Sequence, residues 1–108
     1  MNATYESCIS ECLRCASACE SCASSCLDEQ DVKMMADCIK LDRDCADICR
    51  LAATLMSRGS PFAHDVCTLC AKVCRACGDE CATHDAEHCQ DCSRACLECA
   101  RACESMSA

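Results

Sequence analysis

Along most of this chain the buried-type positions recur at alternating steps of three and four, and the residue that recurs is cysteine. One seam runs through Cys8, Cys12, Cys15, Cys19, Cys22 and Cys26, a second through Cys67, Cys70, Cys74, Cys77 and Cys81, and a third through Cys89, Cys92, Cys96, Cys99 and Cys103. Residues three and four apart share one face of an α-helix, so each seam is a single stripe of thiols with polar residues behind it. The stepping predicts helices from about Thr4 to Leu27, Pro61 to Thr83 and Asp85 to Glu104. A fourth, from about Asp31 to Ser57, carries only Cys38, Cys45 and Cys49, and the same stepping puts Met35, Asp42, Ala52 and Met56 on its remaining seam positions. Beside that seam lies a second apolar stripe, Leu41, Ile48, Leu51 and Leu55, which predicts either a wide core-facing surface or contact with another helix or subunit.

The punctuation between these segments is short. Asp28-Glu29-Gln30-Asp31 is a polar turn in which Asp28 or Asp31 can cap the second helix. In Arg58-Gly59-Ser60-Pro61, Gly59 suits the left-handed position after a helix, Ser60 an N-cap and Pro61 the first turn of the next helix. The turn before the fourth helix has neither Gly nor Pro, and its boundary is the least marked. Short connections make consecutive helices antiparallel neighbours. The fold expected is all-α, an up-down-up-down four-helix bundle with a cysteine-lined core, formed by residues 1–108 as one domain.

Composition changes the picture at one point. Leu, Ile, Val and Phe together number only 14 of 108 residues, about 13%, and a share below roughly 20% ordinarily predicts disorder. A protonated thiol, however, packs as a small hydrophobe, and the 19 Cys help bring the apolar fraction to 52%. The core is therefore expected to be made largely of sulfur. A net charge of −8, with ten Lys and Arg scattered singly, argues against nucleic acid as a partner. No run of about 18 apolar residues predicts a membrane span, and the first residues show no basic or apolar leader, so a soluble cytosolic protein is expected. In that reducing compartment an odd count of 19 cysteines points to metal or redox chemistry before a disulfide scaffold. Helix neighbours four apart also hold their Cβ atoms about 5–6 Å apart, wider than the roughly 3.5–4.5 Å of a disulfide.

With the helices antiparallel, Cys26, Met34, Met35, Cys81, His84, His88 and Cys89 collect at one end, the top, and Tyr5, Cys8, Met56, Phe62, His64, Cys103 and Met106 at the other. Tyr5 and Phe62 are expected to close the bottom. Asp42 is the sole carboxylate on a seam, so the lumen offers soft donors, which select Cu(I), zinc or iron–sulfur clusters. Six CxxC pairs interlock with CxxxC pairs in continuous helical seams, which is not the converging loop of a cluster-binding C-x2-C-x2-C-x3-C-P run. Zinc prefers four ligands, and about three thiolates per zinc leave a strongly anionic core that is costly to bury. Cu(I) takes two or three thiolates; with each sulfur bridging two metals the ratio approaches one copper per cysteine and the core is nearly neutral. Charge favours Cu(I).

Four helices seamed with Cys at three and four, with a small His and Met set at one end, resemble the bacterial cytosolic copper storage proteins over the whole chain. The resemblance implies a bundle holding many Cu(I) ions in its lumen, a homotetramer, and storage or buffering instead of catalysis. Position by position it makes all the seam cysteines ligands and makes His84, His88, Met35 and Asp42 candidates for peripheral sites; Met34 is a further candidate there. Implied partners are copper ions, further copies of the chain and a copper chaperone as donor. Two other functions stay open behind Cu(I) storage: a zinc or cadmium buffer of the metallothionein kind, and a thiol redox or iron–sulfur carrier. Cys81 and His84 could form a nucleophile and base, but no third residue or oxyanion device accompanies them, and no enzyme is expected.

Overall fold

The computed structural model describes residues 3–107, with side chains from Tyr5 to Met106; Met1 and Asn2, on which the reading of a missing leader partly rests, lie outside the described residues. Four helices form: α1 (Ala3–Cys26), α2 (Ala36–Ser57), α3 (Ala63–Ala82) and α4 (Glu87–Ser107). α1 packs beside α2 and α4, and α3 packs beside the same two, so the helices stand at the corners of a square in chain order. The molecule is a rod of 45 × 18 × 17 Å. No helix among the described residues is long and apolar enough to cross a membrane.

The stepping of the sequence accounts for this packing directly. Every cysteine of every seam is buried, and the interleaved Asp42, Ala52 and Met56 of α2, with Met35 just before it, are buried with them. The second stripe of α2 is only half covered: Leu41, Ile48 and Leu55 pack against the core while Leu51 stands exposed. Arg–Glu pairs tie the helices together from outside, with Arg50 to Glu20 at 2.7 Å, Arg75 gripping Glu104 with two nitrogens at 2.6 Å, and Arg14 bonded to Glu98. Exposed pairs of this kind are worth about 0–1 kcal/mol each, so they set register more than stability.

The turns show where local chemistry overrode the expected ends. After α2 the chain makes a full Schellman closure: Gly59 takes φ 64°, its N–H bonds the Met56 carbonyl at 3.2 Å, and the Ser60 N–H bonds that of Leu55 at 2.9 Å. Ser60 does not cap α3 as expected: its hydroxyl accepts the Phe62 N–H at 3.1 Å within the turn, and α3 starts at Ala63, two residues after Pro61, with Phe62 at its N-cap and no side-chain cap. Before α2 the expected helical turn is wound more tightly, as a 3-10 helix over Lys33–Met35, because the Asp31 carboxylate draws in the Met34 N–H at 3.1 Å. α4 begins two residues later than expected, since the Gln90 amide reaches back to the carbonyls of His84 at 2.7 Å and Ala82 at 3.2 Å and satisfies the end of α3. α3 and α4 approach closely at Gly78, where a Cβ would lie 2.9 Å from Leu97 and where the Ser93 hydroxyl donates to the Gly78 carbonyl at 2.8 Å.

Candidate metal centre

All 19 cysteines are free thiols and all are buried. Their sulfurs meet across helix boundaries: Cys38 to Cys81 at 3.3 Å and Cys45 to Cys74 at 3.5 Å join α2 to α3. Cys19 to Cys96 at 3.6 Å and Cys12 to Cys99 at 3.7 Å join α1 to α4. Cys15 to Cys45 at 3.7 Å joins α1 to α2, and Cys49 to Cys99 at 3.9 Å crosses the diagonal. Sets of four sulfurs lie within 4.8 Å of one another along the rod, among them Cys12, Cys70, Cys99 and Cys103, then Cys15, Cys49, Cys74 and Cys99, then Cys19, Cys77, Cys92 and Cys96, and at the top Cys22, Cys26, Cys38 and Cys89. With a metal–thiolate bond of about 2.3 Å, a trigonal site spans sulfurs about 4.0 Å apart and a linear one about 4.6 Å. The facing sulfurs, at 3.3–3.9 Å, lie inside these separations and the four-sulfur sets extend to 4.8 Å, so the lumen can hold two-, three- or four-coordinate metal. Cys15, Cys19, Cys96 and Cys99 belong to more than one set, which is what bridging requires.

At the top of the lumen burial pushes the Cys26 thiol up and holds that of Cys89 at about 11, with the Cys38 sulfur raising both further. At these two positions the thiol keeps its proton until a metal displaces it, whereas hydrogen bonds from Cys22 and Cys81 hold the Cys38 thiol low.

Asp42 sits wholly inside this sulfur column. Its Oδ1 accepts from Cys77 at 3.1 Å, Cys92 at 3.3 Å and Cys81 at 3.5 Å, and Oδ2 from Cys38 at 3.8 Å. Burial, then the neighbouring Cys92 sulfur, push its carboxyl up to about 8. It is the hard donor in a soft site.

The two ends differ. At the top a depression of about 490 Å³ is lined by Glu29, Met34, Met35, Thr83, His84, Asp85 and Ala86. His88 stands over the uppermost sulfurs, with Nδ1 3.4 Å from Cys22 and 3.6 Å from Cys89, while its Nε2 meets Glu29 at 3.0 Å. His84 lines the same depression, but its Nε2 is held by Glu80 at 2.8 Å. At the bottom Cys8, Cys67, Met56 and Ala63 are buried and Tyr5 and Met106 pack half-buried against them.

Of the residues singled out from sequence, the structure brings every seam cysteine and Asp42 into one column and puts His88 on its sulfurs. Met35 is buried beside the depression, whereas Met34 is 63% exposed on its rim. Phe62 does not plug the bottom: it follows the Ser60 turn outward and is 64% exposed. His64 faces outward as well. Sequence reasoning missed Glu29, a loop residue with no periodicity to betray it, carried to His88 by the fold alone.

The family model for copper storage proteins, Csp, matches residues 1–108. Among solved structures, the Cu(I)-bound copper storage protein BsCsp3 is 48% identical, covers 97% of this chain and 99% of its own, and superposes with a TM-score of 0.93. Apo copper storage protein 3 from Bacillus subtilis is 50% identical over 95% of this chain and 98% of its own, with a TM-score of 0.91. A cytosolic copper storage protein from Streptomyces lividans carrying five coppers is 44% identical over 96% and 92%, with a TM-score of 0.93. No curated protein sequence matches the chain. These comparisons lend no support to the zinc–cadmium or the redox reading.

Proposed function

This chain belongs to the copper storage protein family, matched over its whole length, and on that premise we propose that its lumen stores Cu(I) as a thiolate-bridged array, in the cytosol, within one domain. The observation that carries the reading is the continuous column of sulfurs meeting across helices, with single cysteines shared between neighbouring sets as bridging requires. The 19 seam cysteines act as the ligands. His88 adds a nitrogen at the top, and His84, Met35 and Asp42 stand at the edges of the array. Each Cu(I) displaces about one thiol proton, so the loaded core stays close to neutral, which a lumen of divalent zinc does not. We assign no catalytic step: the Nε2 of His84, the base that follows Cys81 in the chain, is held by Glu80.

Two further parts of the reading concern partners. The half-covered stripe of α2, with Ile48 and Leu51 facing Val73 of α3 across a surface groove of about 350 Å³, favours assembly with copies of the chain, as a homotetramer. A copper chaperone is the donor, exchanging ligands at the top depression. Anaerobic titration of the reduced protein with Cu(I) tests the function. It should saturate near one copper per cysteine, on the order of 15–20 per chain, given bridging soft ligation; a sharp end point near about four to seven indicates tetrahedral, zinc-like clusters instead. Chelator-treated reduced protein should give a fully helical far-ultraviolet spectrum, since protonated thiols already form the core; a disordered spectrum overturns this.

A further inference from the structure

We infer that Glu29 is a positioning residue for the uppermost copper site, holding His88 as the Nε2–H tautomer so that its Nδ1 lone pair faces the sulfurs of Cys22 and Cys89. The inference rests on the storage reading and names a residue that the sulfur pattern does not contain.

Glu29 lies in the turn after α1, its N–H bonded to the Cys26 carbonyl at 3.2 Å, so its backbone is anchored to a residue of the uppermost sulfur set. From there its Oε2 reaches His88 Nε2 on α4 at 3.0 Å, closing the first connection across the first turn of α4. The two ring nitrogens of a neutral imidazole differ: one donates and one accepts. A carboxylate only accepts, so at Nε2 it selects the N–H, and Nδ1 is left as the acceptor. That choice agrees with the sulfur side, where the thiols of Cys22 at 3.4 Å and Cys89 at 3.6 Å have protons to donate. When the thiols lose those protons to Cu(I), the same lone pair is already aimed at the metal. Without Glu29 the ring is free to turn over or to place its proton on Nδ1, where it opposes an incoming cation. His84 offers the contrast: its carboxylate partner Glu80 sits four residues back in the same stretch of chain, near the end of α3, and no cysteine sulfur lies at hydrogen-bond distance of its ring among the described residues. Oriented ligands of this kind are typically worth 10–100-fold in metal affinity through their outer partner.

The test has a readout that needs no copper. In the apo protein, nitrogen NMR of His88 on the alkaline plateau of its titration should show the Nε2–H tautomer dominant, and Glu29→Ala should shift the population toward Nδ1–H. Glu29→Gln, which keeps an acceptor oxygen, should restore much of the wild-type population. With a single equivalent of Cu(I) bound, a chelator should remove the metal about tenfold faster from Glu29→Ala than from wild type. In a His88→Ala background the Glu29→Ala change should add no more than about twofold, because Glu29 acts through that ring. Asp28→Ala, which removes the same charge one residue away, should stay within about twofold of wild type. An unchanged tautomer in Glu29→Ala, an equal acceleration in the His88→Ala background, or an equal effect from Asp28→Ala each overturns the inference. Failure of every variant and wild type to bind Cu(I) overturns the storage reading instead, and leaves the tautomer measurement to decide the role of Glu29.

Discussion

The two halves of the sulfur column are written in the same stepping and built for different neighbours. In the upper half the cysteines share their space with oxygen and nitrogen: Asp42 inside, His88 and Glu29 above, and a depression open to water. In the lower half the seam positions not occupied by cysteine are Ala52 and Met56, and Ala63 packs there too, all buried and all apolar. The difference teaches that helical stepping guarantees burial and nothing more. What a buried seam position then does depends on whether it holds a soft ligand, a hard one or a plug.

Asp42 offers the largest effect by which to break this contrast. Its carboxyl holds a proton up to about 8 when folded, against an ordinary value of 3.8. Folding therefore takes up a proton between those values, and the stability this brings is fully present below about pH 4 and lost as pH rises through about 8, at a limiting slope of about 1.4 kcal/mol per pH unit. Urea midpoints of the apo protein should fall from about pH 5 to about 7.5, by the equivalent of a few kcal/mol, and the fall should flatten in Asp42→Asn. Parallel slopes in the two proteins would mean that the pH dependence lies elsewhere.

Next in size is the pair of methionines at opposite ends. Met56 is 1% exposed, so Met56→Ala should cost about 2–5 kcal/mol by opening a cavity. Met34, on the rim, should cost less than about 0.5 kcal/mol on the same truncation. Equal losses by chemical denaturation would erase the distinction between plugged floor and open rim.

The smallest effect is kinetic and concerns the entrance. His84→Ala with His88→Ala should slow Cu(I) uptake severalfold, read by stopped-flow absorbance, while capacity stays within about two ions because the thiolates are intact. Uptake at the wild-type rate, together with a faster rate in Met56→Ala, would move the door to the bottom.

Much of this architecture is legible in the order of residues alone. Periodic residues announce themselves, so the seams, the placement of Asp42 among thiols, and the Gly59 stop of α2 follow from spacing and turn chemistry, while the start of α3 slips two residues past Pro61. Three things do not. Whether Asp31 starts an α-turn or a 3-10 turn depends on a single hydrogen bond to Met34. The direction taken by Phe62 depends on how the chain leaves the turn at Ser60. The pairing of Glu29 with His88 joins residues 59 positions apart, and no local pattern encodes a contact of that range. The close approach at Gly78 belongs to the same class, since a lone glycine in a helix says nothing about which leucine faces it.

The proportions of the rod carry one more consequence. A rod 45 Å long and 18 Å across, if loaded from its top, would fill and empty like a stack: the ion that arrives last is the first that can leave. Copper nearest His88 would then turn over with the surroundings while that beside Cys8 and Cys67 would be held in deep reserve. Such a molecule has a fast compartment and a slow one within one chain, although both are lined with the same amino acid.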